Sequence, residues 1–207
     1  MTHGNRQTRP ADATREESTI DWEKAERATR LLLEAVGEDP DRDGLLDTWQ
    51  RRVPNAVATL SEGYRTAAKP TMRTFTSESD DLVVKTGVPL YSLCEHHLLP
   101  YHGTAHVAYV PRDGQVVGLS KLIRYVRWQS RKLTMQERLT REIAEGLAAE
   151  LGAKTVLVEA TATHMCEAMR GVQAETETTT RSVVGEPTDG ERQRFRDAIG
   201  RWQESSR

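Results

Sequence analysis

The spacing of apolar side chains changes rhythm several times along the chain. Ile20, Ala28, Leu31, Leu32 and Ala35 form one stripe at helical spacing, with Thr19 placed to cap its start. Gly37 and the turn-rich EDPDRDG end it. A second helical stretch is expected from about Leu46 to Leu60, stopping near Gly63, with Pro54 set to kink it or shift its start. The middle then turns strand-like. Leu82 to Leu93 is rich in Val and Leu, and Thr104 to Val110 follows as a second strand. The turn Pro111-Arg112-Asp113-Gly114 leads into a short strand from Gln115 to Gly118. Helical spacing returns from Lys121 to Arg131, with Ser120 as a cap. A longer helix opens with Thr134-Met135-Gln136-Glu137, which fits a capping box, and carries Leu139, Ile143, Leu147 and Leu151 along one face until Gly152. Thr155 to Thr163 alternates, with Val156, Val158, Ala160 and Ala162 on one side. The Thr-rich segment from Val172 to Val184 reads as a last strand, and residues 189–204 as a C-terminal helix. Helices, a hairpin region, two helices and two strands make an α+β chain with an antiparallel sheet.

Composition narrows the picture by exclusion. With 207 residues, 37% hydrophobic and 29% charged, the chain suits one domain with a full core and an extra N-terminal layer. No apolar run approaches the length of a membrane span. The polar residues 1–18 lack the apolar stretch of a secretory signal and read as a disordered arm, so a cytoplasmic location is expected. A formal net charge of −2 gives no reason to expect wholesale binding to nucleic acid or membranes.

The chemistry gathers around the only two cysteines, Cys94 and Cys166. In a reducing compartment they are either two buried thiols or part of a metal site. Five of the six histidines fall between residues 96 and 164. Cys94-Glu95-His96-His97 spaces a thiol and an imidazole so that a tight turn closes them onto one ion. At the end of the 155–163 strand, alternation sends His164 and Cys166 out from the same face, in register to meet Cys94 and His97 across the fold. Three protein ligands of Cys₂His type suit zinc and leave its fourth position open to a water whose pKa falls to about 7. His96 and His164 then remain as unligated bases.

The segments SLCEHHLLPYHGTAHVAYVP, GLSKLIRYV, QERLT and HMCEAMRG, in that order, closely resemble the GTP cyclohydrolase I family, zinc enzymes that open the imidazole ring of GTP to make dihydroneopterin triphosphate. The resemblance runs from about residue 40 to residue 185. It implies Cys94, His97 and Cys166 as zinc ligands and His96 and His164 as catalytic histidines. It implies a small antiparallel sheet backed by two helices, the tunnelling fold, and assembly into rings, typically decamers, with active sites between subunits. The chain then divides into the arm 1–18, an N-terminal helical extension 19–68 and a catalytic tunnelling-fold domain 69–207.

Lys121 and Arg124 sit early in a helix, where cations oppose the macrodipole and a bound anion would resolve the conflict; a solvated basic face is the alternative. The resemblance places Ser120, Lys121 and Arg124 at the triphosphate, together with Arg170, and leaves Arg127 and Arg131 on the solvated face. Arg51 matches the family's N-terminal arginine, but Asp47-Thr48-Trp49-Gln50-Arg51-Arg52 departs from the usual D-T-P-x-R. Either Arg51 or Arg52 is therefore the phosphate contact, and Pro54 stands where family members can carry a lysine. Glu137 has two roles open to it: the capping box, and acceptance of the guanine ring N–H and amino group, assisted by Gln136. Base recognition is the favoured role. His102 and His106 are read as structural. Two rivals remain: a same-fold enzyme acting on another pterin or deazapurine, and an RNA-binding module with a structural zinc.

Overall fold

The computed structural model describes residues 20–206; the arm 1–18 and the Thr19 cap lie outside them. Helix α1 (Trp22–Ala35) starts instead from Asp21, whose carboxylate accepts the Lys24 N–H at 2.9 Å. The single helix expected from Leu46 to Leu60 is broken into a π turn (Thr48–Arg52) and α2 (Val53–Leu60). Pro54 has no N–H to return to the turn before it, and the Val53 N–H reaches back to Thr48 O, one residue further than an α-helix allows.

Two sheets follow. A two-stranded ribbon pairs β1 (Thr74–Thr76) with β4 (Gln115–Val117). The main sheet joins β2 (Val83–Cys94), β3 (Pro100–Val110), β5 (Leu133–Thr134), β6 (Thr155–His164) and β7 (Glu177–Val184) in the order β5-β2-β3-β6-β7. All neighbours are antiparallel except the short β5, which runs parallel to β2. Helices α3 (Leu119–Ser130) and α4 (Gln136–Leu151) back one face, with Leu122, Val126, Leu139, Ile143 and Leu147 buried against Val88, Leu90, Tyr101, Val107, Val156 and Val158. Full burial of each such side chain contributes about 1.5–3 kcal/mol. Part of the opposite face is covered by α6 (Asp189–Ser205), whose Phe195 and Ile199 meet Ala108 and Leu157. This is the α+β, tunnelling-type arrangement with a helical N-terminal extension. Among the described residues no helix is long and apolar enough to cross a membrane.

Local details differ from expectation at two helix starts. Ser120 does not cap α3: the helix begins at Leu119, and Gly118 holds the cap position without a side-chain bond. The box expected over residues 134–137 does not form, because Thr134 is drawn into β5 and Met135 becomes the cap residue of α4. The Thr134 hydroxyl donates to Met135 O at 3.2 Å, and the Glu137 carboxylate is left free of capping. A complete capping box appears instead at Thr188 and Glu191, which start α6.

Candidate active site

The sheet positions the chemistry at one end of β2, β3 and β6. Beyond Cys94 the chain turns sharply: the Leu98 N–H bonds Cys94 O, and the Cys94 N–H bonds Leu99 O, each at 2.9 Å. Leu98 takes φ +57°, a conformation rare for a branched side chain, to close this turn. Arg138 of α4 braces it from below, its Nη1 donating to the Glu95 carboxylate at 2.7 Å. The turn brings His97 Nδ1 to 3.8 Å and His96 Nδ1 to 4.0 Å from Cys94 Sγ.

Cys166 arrives by a different route from the one its spacing implies. The strand ends at His164, and Cys166 lies in a single helical turn, α5 (Met165–Ala168), so strand alternation does not aim it. The donor atoms of Cys94, His97 and Cys166 nonetheless all lie within 4.8 Å of one another. Tetrahedral coordination with Zn–S about 2.3 Å and Zn–N about 2.0 Å sets donors roughly 3.5–3.8 Å apart, so small side-chain shifts suffice. Burial pushes the Cys166 thiol above its ordinary range, and the adjacent Cys94 adds to this. A divalent cation bound beside it would favour its thiolate form. The group can hold a metal ion.

Around these donors a cleft of about 400 Å³ is lined by His96, His164, Thr134, Met135, Gln136, Glu137, Glu167, Arg170 and Val172 as well as the three donors. Burial lowers the His164 pKa, with Glu167 and Glu137 opposing, which favours the neutral imidazole. Tyr101, opposite His164 in the β3–β6 register, stacks on its ring at 4.6 Å and 12°. Sequence reading missed Tyr101; the signal was available only through the strand register. A larger cleft of about 610 Å³, between β6–β7 and α6, contains neither thiol nor imidazole, so volume alone points to the wrong place.

Not every expected residue reaches the cleft. Arg51 and Arg52 both pair with Asp47, at 3.0 and 3.4 Å, on the exposed π turn. Ser120, Lys121 and Arg124 lie at the start of α3 and do not line it. Gln136 lines it but is buried, its amide nitrogen donating to Ala160 O and Thr178 O.

Among the described residues the donor group stays at three, without the fourth ligand that closes a structural zinc site. A cleft whose donors can hold a metal ion, flanked by two further imidazoles, has the makings of an enzyme active site. The model of the family described as GTP cyclohydrolase I matches residues 25–199. A GTP cyclohydrolase 1 of Hyperthermus butylicus is 49% identical over 167 residues, covering 81% of this chain and 84% of its own length. Those of Carboxydothermus hydrogenoformans (46% identity; 80% and 86% covered) and Streptococcus mutans (47%; 80% and 86%) are similar. The chain therefore belongs to the GTP cyclohydrolase I family and is an enzyme of that type. A solved archaeosine synthase QueF-Like in its apo form overlays on 53% of this chain and 100% of its own at a TM-score of 0.38 and 20% identity, too weak a likeness to add to the reading.

Proposed function

We propose that this chain hydrolyses the imidazole ring of GTP at C8, releases formate and recloses the product to 7,8-dihydroneopterin triphosphate, the entry to tetrahydrofolate and pterin synthesis. The observation that carries the residue-level reading is the convergence of Cys94, His97 and Cys166 with His96, His164 and Glu137 in one cleft. Cys94, His97 and Cys166 hold a zinc ion, since two thiols and an imidazole are a soft, borderline donor set. When bound, zinc supplies Lewis acidity and an activated water. His164 takes the proton that the water loses as it adds at C8 and passes it to the imidazole nitrogen of the base, and His96 assists proton transfer in the hydrolysis that frees formate. Glu137 accepts the guanine ring N–H and amino group; its freedom from the capping box supports that assignment.

Arg170 and one of Arg51 or Arg52 bind triphosphate, with Ser120, Lys121 and Arg124 supplied by a neighbouring subunit. The position of those three outside their own cleft supports sites between subunits. So do the edge strand β7 and the exposed Leu31, Leu32, Val36 and Val57 of the N-terminal helices. The assembly is a ring, a decamer by analogy with the family, in the cytoplasm, where thiols stay reduced. The division into a helical extension over 19–68 and a catalytic domain over 69–207 belongs to the same reading, supported by the packing of α1 on the π turn and α2.

Incubating the protein with GTP and following formate together with the pterin chromophore tests the reaction. Formate plus a pterin triphosphate is the expected outcome. Formate without pterin would mean ring opening without reclosure, and no formate from metal-replete protein would end the proposal.

A further inference from the structure

Gln136 opens α4, yet only 1% of its surface is exposed. Its amide nitrogen donates to Ala160 O at 3.0 Å and Thr178 O at 2.8 Å, with Thr180 Oγ1 at 3.2 Å as a third acceptor. Carbonyl oxygens only accept, so the NH₂ end of the amide must face the strands; the flipped amide would set Oε1 against two carbonyl oxygens. The hydroxyls agree with this direction. Thr140 Oγ1 donates to Gln136 O at 2.8 Å, so its 2.6 Å contact with Thr180 Oγ1 is donated by Thr180. That leaves a Thr180 lone pair for the Gln136 amide. Every donor in this buried set has an acceptor, the condition under which a polar network rigidifies its members.

Only Oε1 of Gln136 is then left to meet His164, and it lies 2.8 Å from His164 Nε2. An amide oxygen is acceptor-only, so the hydrogen belongs to Nε2. Tyr101, stacked nearly parallel at 4.6 Å, fixes the plane of the imidazole, and the amide fixes which edge of the ring faces inward. We infer that Gln136 is a positioning residue that holds His164 as the Nε2–H tautomer, leaving Nδ1 as the nitrogen that passes protons to and from the substrate. The inference rests on His164 acting as an acid–base group in the proposed reaction. It also gives the Gln136 side chain a role other than base recognition.

The two roles leave different marks. A base-contacting side chain, once removed, raises KM and relaxes selectivity between GTP and ITP. A positioning side chain lowers kcat and leaves KM alone. The first measurement needs no variant: solid-state ¹⁵N spectra of zinc-loaded, histidine-labelled protein at pH 8, with the His164 signals assigned by their loss in His164→Asn. A protonated Nε2 and bare Nδ1 are expected for His164. The Gln136→Met protein should show mixed tautomers at His164, with kcat lower by about 10–100-fold, part of the usual acid–base contribution, and KM for GTP unchanged. A protonated Nδ1 in the unmodified protein overturns the inference, and that spectrum decides the matter even if Gln136→Met does not fold. So does a Gln136→Met protein with raised KM and unchanged kcat. Failure of the unmodified protein to release formate would remove the functional reading instead, while the spectrum would still report the tautomer.

Discussion

Replacing Gly146 with Ala sets helix propensity against packing. Gly146 lies inside α4, where alanine is favoured over glycine by roughly 1 kcal/mol. A Cβ at this position would come within 1.9 Å of the Tyr125 hydroxyl oxygen and 3.1 Å of Cζ. Tyr125 belongs to α3, is 3% exposed, and has its ring tilted against Trp128 at 5.7 Å, so the phenol cannot swing aside without opening the α3–α4 seam. Overpacking of this kind costs about 1–3 kcal/mol, and so short an approach belongs in the upper half of that range. Packing therefore wins, and Gly146→Ala should lose about 1–2 kcal/mol net of the propensity gain. Tyr125→Phe removes the offending oxygen and leaves a ring carbon at 3.1 Å, which a shift of a few tenths of an ångström relieves. In that background Gly146→Ala should be neutral or mildly stabilising, a coupling of roughly 2 kcal/mol between the two positions. Urea unfolding of the four proteins, followed by circular dichroism, measures it, with the protomer concentration held the same throughout so that any association weighs equally on all four. A Gly146→Ala protein at least as stable as its parent would refute the reasoning, as would effects that simply add.

Other expectations concern charge and assembly. Burial lowers the His106 pKa below its ordinary 6.5 despite the opposing Glu159, and His106 Nδ1 accepts the Gly87 N–H at 3.3 Å. The folded state then binds fewer protons than the unfolded one, so this contribution to stability is complete above pH 6.5 and shrinks as pH falls below it. Unfolding midpoints should drop on acidification below that pH and drop less in His106→Gln; equal slopes would contradict this. Glu137→Gln should raise KM for GTP by about 10–100-fold, the usual worth of a hydrogen bond to a charged acceptor, and steady-state kinetics with an unchanged KM would remove Glu137 from the base site. Co-expressing Cys166→Ala and Lys121→Ala chains should restore activity that neither variant shows alone. No recovery in mixed assemblies would place Lys121 in its own chain's site or nowhere near one.

Much of the fold could be read in the sequence because periodicity reports burial directly. The stripe Leu139, Ile143, Leu147 and Leu151 and the row Val156, Val158, Ala160 and Ala162 are buried as expected. Helix starts were less legible, since they depend on what neighbouring segments do. Thr134 fits a capping box locally but is taken by pairing with β2, a competition that the four-residue pattern does not contain. The Cys94–His97 turn was visible as spacing, whereas the path of Cys166 through α5 was not, because nothing local marks where β6 gives way to a helical turn. The Gln136–His164 contact joins residues 28 positions apart and became visible only once α4 was laid against β6 and β7. Lys121 and Arg124 stay away from the cleft for a reason a single chain cannot display, if the site is completed by a neighbour.

The central claim is that Cys94, His97 and Cys166 hold the zinc on which ring opening depends. Its most direct test is a titration of zinc into metal-depleted protein, with bound metal and formate release from GTP measured on the same samples. Formate release should rise with bound zinc and level off at one ion per chain, and Cys166→Ala should lose both the binding and the reaction. Full formate release from protein carrying no metal, or zinc bound at one per chain in Cys166→Ala, would contradict it.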